Sequence, residues 1–132
     1  MTDSPADIVG VVLRVVVALV FVGMGVNHFR PGPARVMAKL IPPRLRFDGI
    51  ANPLALVYLT GVCEIAGGVG ILIPELRGAA AVGLVLFLIA VFPANAYAAE
   101  HPERFGSLAI PFWPRFAGQL VLILVVVLAA IL

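Results

Sequence analysis

The chain has 132 residues, 62% of them apolar and 12% charged, with 9 Lys+Arg against 7 Asp+Glu. Its mean hydropathy is +1.12. A soluble domain is near half apolar and about a quarter charged, and a domain this small buries the smallest share of its surface. Lipid must replace much of the water around this chain. That excludes a cytosolic enzyme, a secreted disulfide scaffold, a disordered tail and a nucleic-acid reader. The lone cysteine, Cys63, leaves no intramolecular disulfide, CxxC redox pair or cysteine-rich metal site within one chain.

In chain order, the first seven residues carry Asp3 and Asp7 but no base. A secretory signal needs a basic start before its apolar run, so the first apolar run is expected to stay as a membrane span. Four such runs follow, at about 8–29, 54–73, 78–99 and 114–132. Each approaches the roughly 20 helical residues that cross a ~30 Å hydrocarbon core. Phe112 and Trp113 stand before the last run as candidate interfacial anchors. A β-barrel would need alternating polarity, whereas Val15–Val20 and Val121–Val127 are continuously apolar. The sequence therefore predicts an all-α protein, a single domain built as a four-helix transmembrane bundle.

Bases cluster between the first and second runs, at Arg30, Arg35, Lys39, Arg44 and Arg46, and recur at Arg104 and Arg115. The positive-inside rule places these longer loops in the cytoplasm and both termini outside the plasma membrane. Within the first loop, residues 34–41 put Val36, Met37, Leu40 and Ile41 on one helical face and Arg35 and Lys39 on another. A short amphipathic helix at the headgroup layer and an ordinary basic loop both fit this pattern.

Charged residues inside lipid are costly, about 2.5–3.5 kcal/mol each at mid-membrane, and lean functional. Two are found, Arg14 in the first span and Glu64 in the second. Counted from the ends near His28 and Leu54, they lie about 21 Å and about 15 Å deep at the helical rise. A hairpin of these spans would allow an Arg14–Glu64 pair, serving either structure or proton and ligand handling. Arg14, Ala18, Phe21, Gly25 and His28 make one helical stripe, and Gly61, Glu64 and Gly68 another. Glycines let helices approach closely in bilayers. Gly67, Gly68 and Gly70 sit inside an apolar helix and lack the strand that a phosphate loop requires.

A second polar layer comprises Asn27, His28, Tyr58, Asn95, Tyr97 and Gln119, one or more from each span. Pro93 cannot donate to the Ile89 carbonyl and is expected to kink the third span. Together the layers predict a polar pocket open to the cytoplasmic side, lined by Arg14, Asn27, His28, Tyr58, Glu64, Asn95 and Gln119, with Glu64 near its floor. Asn27, Asn95 and Gln119 read equally as interhelical hydrogen-bonding glue. Tyr58, Tyr97 and Trp113 read as interfacial aromatics, and Cys63 as an inert buried thiol. No metal or haem is expected, because His101 lies in the hydrated stretch Glu100–Arg104 rather than on a helix face.

Gly23–Phe29 with Pro31, Thr60–Pro74 and Ala90–Tyr97 resemble the DoxX-like family of small bacterial membrane proteins. The likeness runs from about Arg14 to Ala99. It implies a four-helix membrane bundle in which Glu64 is the family's acidic residue of the second span. It also implies kinship with quinone-linked oxidoreductase subunits and with membrane accessory factors. This chain lacks the cysteine pair of redox-active relatives. The leading expectation is an accessory subunit that binds a membrane-protein partner or a lipid-soluble ligand, with homo-oligomerisation also open. The alternative is a quinone-binding oxidoreductase subunit using His28, Tyr58 or Glu64. A proton-coupled exporter ranks third, because such exporters carry their acid in the first span and Arg14 would neutralise Glu64.

Overall fold

The computed structural model describes residues 4–46, 48–49, 52–106 and 109–132, and these contain helices and turns but no strand. Six α-helices follow in order: α1 (Pro5–Asn27), α2 (Pro31–Leu40), α3 (Pro53–Gly70), α4 (Arg77–Glu100), α5 (Pro102–Phe105) and α6 (Phe112–Ile131). A single 3-10 turn, Pro43–Leu45, separates α2 from α3. Four of the helices, α1, α3, α4 and α6, are long and apolar enough to cross a membrane. The protein is an all-α, four-helix transmembrane bundle.

Local chemistry explains the helix ends. α1 begins three residues before the apolar run because Ser4 and Asp7 form a capping box. Asp7 N–H donates to Ser4 Oγ at 3.2 Å, and Ser4 N–H donates to Asp7 Oδ2 at 2.8 Å. Proline occupies the first position of α1, α2, α3 and α5, where its missing N–H has no helical partner to lose. Asn52 caps α3 by accepting from Ala55 N–H at 2.9 Å. α3 stops at Gly70 rather than at the expected Ile73. Gly67, Gly68 and Gly70 weaken its last turns, and Pro74 disfavours helical geometry just before it. α4 runs as one continuous helix through Pro93.

α1 packs on α3 and α6, and α4 packs on the same two helices, so the four spans form a ring with α1 and α4 at opposite corners. The α1–α3 seam is the tightest. A methyl group added at Gly25 would stand 2.8 Å from the Gly61 carbonyl oxygen, and one at Gly68 would stand 3.3 Å from that of Ala18. Small residues at these crossings let the backbones meet, as the sequence stripes suggested.

The packed core fills the half of the ring near the chain termini. It joins Val17, Ala18 and Phe21 of α1 to Ile71, to Ala81, Leu84 and Leu88 of α4, and to Val126 and Ala129 of α6. The outer faces remain apolar: Leu19, Val82, Leu86, Val121 and Ile131 are between 60% and 71% exposed. Such a surface suits lipid rather than water. α2 lies against α3 and α4 at the opposite end. It covers nearly all of the segment 34–41 expected to be an amphipathic helix, and Arg35 and Lys39 are exposed.

Candidate functional site

Where the core ends, the ring opens into a cavity of about 1710 Å³. It runs along the α3–α4 seam, from Gly70 and Leu76 at one end to Pro33, Met37 and Leu40 of α2 at the other. The apolar face of α2 thus forms a wall of this cavity. Most of the lining is apolar, and the polar groups gather on two seams.

The first cluster bridges α1 and α3. Glu64 is 2% exposed, the only charged residue fully buried among the described residues. Its Oε2 lies 3.0 Å from His28 Nε2 but outside hydrogen-bonding geometry, and it has no hydrogen-bond partner among the described residues. The other ring nitrogen, His28 Nδ1, is 3.0 Å from the Val57 carbonyl oxygen and 3.0 Å from Thr60 Oγ1. Thr60 donates its own proton to the Val57 carbonyl at 2.7 Å. Both neighbours of Nδ1 are therefore acceptors, and Nδ1 carries a proton.

That assignment constrains the pair. With Nδ1 turned to the Val57 carbonyl, Nε2 is the nitrogen that stands 3.0 Å from Oε2.

The second cluster bridges α4 and α6. Arg115 Nη2 donates to Asn95 Oδ1 at 2.6 Å, and Gln119 stands one turn further along α6. Arg115, Asn95 and Gln119 are all half-buried and line the cavity. The α4–α6 seam lies across the ring from the α1–α3 seam. The two clusters consequently face a common space from opposite sides.

Five of the seven residues singled out from the sequence, Asn27, His28, Glu64, Asn95 and Gln119, line this cavity. Arg14 and Tyr58 do not. Arg14 Nη1 donates to the Ala129 carbonyl at 3.2 Å, so the Arg14–Glu64 pair does not form. The depth comparison treated both spans as starting level, whereas the glycine contacts set a different register. Gly25 meets Gly61 and Ala18 meets Gly68, which places the residue opposite Arg14 near Leu72. Glu64 is roughly eight residues, or about 12 Å, away along α3. In the last turn of α6 the Ala129 carbonyl lacks an intrahelical donor, and a guanidinium suits that negative end of the helix.

Tyr58 is 38% exposed and stacks on Phe29, with ring centroids 5.6 Å apart. Cys63 is exposed and lines the cavity, so it is not the buried thiol expected from its apolar neighbours. Because Glu64 turns toward α1, the side chain before it is rotated about 100° around the helix. Tyr97 accepts from Arg104 Nη1 at 2.9 Å and borders a separate cavity of about 470 Å³ with Pro42, Pro43 and Arg44.

Arg115 and Thr60 also belong to the site, although neither stood out there from the sequence. Helical spacing was the available signal: Thr60 precedes Glu64 by four residues, and Arg115 precedes Gln119 by four, each pair sharing a face. Arg115 instead counted as a loop base, because it stands just inside the last span.

No curated protein and no solved structure matches the chain. A family model does, over residues 17–130, from the middle of α1 through nearly all of α6. By that match the chain belongs to the family described as a domain of unknown function, DUF8561.

Proposed function

We propose that this is a DoxX-like accessory subunit of the plasma membrane, which holds a lipid-soluble ligand and supports a membrane redox or assembly process. The observation that carries the reading is the cavity of about 1710 Å³, apolar along the spans and polar on two facing seams. Ligand pockets typically pair an apolar lining with a few placed polar groups, at about 300–1,000 Å³. The larger volume here suits a ligand with an extended apolar part. Residues of the DoxX-like motifs, His28, Glu64 and Asn95, all stand on the cavity wall.

The termini face outward and the longer loops face the cytoplasm, following the bases on the first loop and the exposed Arg35 and Lys39 of α2. With Cys63 replaced by Ser, single cysteines at Ser4 and Arg44 test this on intact cells with an impermeant thiol reagent. Labelling at Ser4 alone agrees with the orientation, and labelling at Arg44 alone reverses it.

The function itself is tested by purification in lipid nanodiscs and native mass spectrometry. A small lipid-soluble molecule should copurify and should be depleted in Glu64→Gln. A chain that stays free of small molecules and protein partners across conditions overturns the reading. Recovery of a quinone would select the oxidoreductase alternative. Arg14 does not neutralise Glu64, so the exporter reading rests on its own test: proton-driven flux into liposomes, abolished in Glu64→Ala, would replace the accessory role.

A further inference from the structure

The geometry points to an amphiphile with one acidic headgroup as the occupant of this cavity, its head held by Arg115, Asn95 and Gln119. The inference rests on the ligand-binding reading above and goes beyond it by naming the chemistry of the ligand.

Among the described residues, Arg115 is the only Lys or Arg that lines the cavity. Its recorded partner is the neutral Asn95, which accepts one of its five N–H groups. The only salt bridge among the described residues joins His28 to Glu64, on the opposite seam. A half-buried guanidinium in an apolar lining is costly unless an anion completes it. Among the described residues the remaining donors, a fork suited to carboxylate or phosphate, are unspent. Asn95 holds that fork in place from α4, and its amide group and that of Gln119 supply further donors.

Glu64 does not supply the anion: it lies on the opposite seam with His28 as its basic neighbour, and it forms no ion pair with Arg115. Among the described residues no anion meets the Arg115 guanidinium. From there the space continues along Ala66, Gly67, Gly70, Ala79 and Gly83, small residues on the facing sides of α3 and α4. At Gly83 a methyl group would meet nothing within 4 Å, and this space is one an acyl chain can occupy. The head would sit at the loop end of the bundle, beside the aromatic residues Phe112 and Trp113, and the tail would run toward the termini.

Binding of a spin-labelled oleate, its uncharged oleyl alcohol analogue and phosphatidylglycerol to the whole protein in phosphatidylcholine nanodiscs tests this. Wild type should prefer an acid over the alcohol by about tenfold or more, the scale of one charge-assisted hydrogen-bonded pair. Preference for oleate identifies a free acid as the source, and preference for phosphatidylglycerol identifies a membrane lipid. Arg115→Gln should lose the preference while still binding the alcohol, and Arg115→Lys should restore part of it. Equal binding of acid and alcohol by wild type overturns the headgroup assignment and leaves the cavity reading standing. An unchanged preference in Arg115→Gln overturns it as well. Failure of wild type to bind any of the three overturns the cavity reading itself. Asn95→Ala, which keeps the charge but frees the fork, should weaken acid binding less than Arg115→Gln does.

Discussion

His28 and Glu64 meet across the α1–α3 seam with Nε2 and Oε2 3.0 Å apart, and the Val57 carbonyl behind the ring fixes which nitrogen is left to face the acid. The contact joins the end of α1 to the middle of α3 at the mouth of the cavity. Histidine, not arginine, is thus the basic neighbour of the buried acid.

Removing one partner should be costlier than replacing it. Glu64→Ala leaves the His28 ring without its neighbour in a buried seam, and loss of roughly 3–5 kcal/mol is expected for a broken buried pair. Glu64→Gln keeps an amide N–H that can donate to Nε2, so its loss should be smaller. Thermal unfolding in detergent of the two variants and of His28→Ala, with the double variant to close the cycle, measures the coupling. Additive losses would mean that the two side chains do not interact.

Arg14 should behave as a helix-end contact. Arg14→Leu removes the donor to the Ala129 carbonyl, at an expected cost of about 1.5–3 kcal/mol for a hydrogen bond to a charged group. Combined with Glu64→Gln it should add within about 0.5 kcal/mol, because the two side chains share no partner. A strong coupling between them in unfolding measurements would restore the pair that the register excludes.

The glycines of the seam offer a graded comparison. Gly61→Ala would place its methyl group 2.8 Å from His28 Cβ and 3.0 Å from the Gly25 carbonyl oxygen. Overpacking of this kind typically costs about 1–3 kcal/mol, and here it would also push His28 from Glu64. Gly23→Ala meets nothing within 4 Å and should be neutral or slightly stabilising through its better helix propensity. Equal stability of the two variants would contradict the close approach of α1 and α3.

Cys63 serves as a built-in reporter, being the only cysteine of the chain and part of the cavity lining. A lipid-soluble maleimide should label it in folded protein, and an occupant of the cavity should slow the reaction. Labelling rates followed by mass spectrometry with and without added oleate check this. A rate indifferent to an occupant shown to bind would place that occupant elsewhere.

The periodicity of the chain was enough to find the four spans, but not α5, which lies in the stretch read as a hydrated loop, and it left α2 open between a helix and a basic loop. Ser4 and Asp7, Asn52 with Pro53, and the apolar runs are local signals, each readable within a few residues. The same locality made Asn27, His28, Glu64, Asn95 and Gln119 legible as polar residues where lipid should exclude them. Partners were another matter. Arg14 and Glu64 looked matched because opposite charges attract at any register, and depth counted from span ends carries an error of several residues. Thr60 and Arg115 were hidden by ordinariness, one a hydroxyl in a helix and the other a base near a loop.

By itself the sequence determined that lipid surrounds this protein, that four helices span it, and that few polar groups remain inside. Those properties follow from hydrophobic transfer and backbone hydrogen bonding, which act residue by residue. Only the tertiary structure decided that histidine rather than arginine meets Glu64, and that Arg115 faces the cavity. The reason is the helix register, set where Gly25 meets Gly61 and Ala18 meets Gly68. Contacts between distant segments decide it, and a shift of one turn would pair every polar side chain differently.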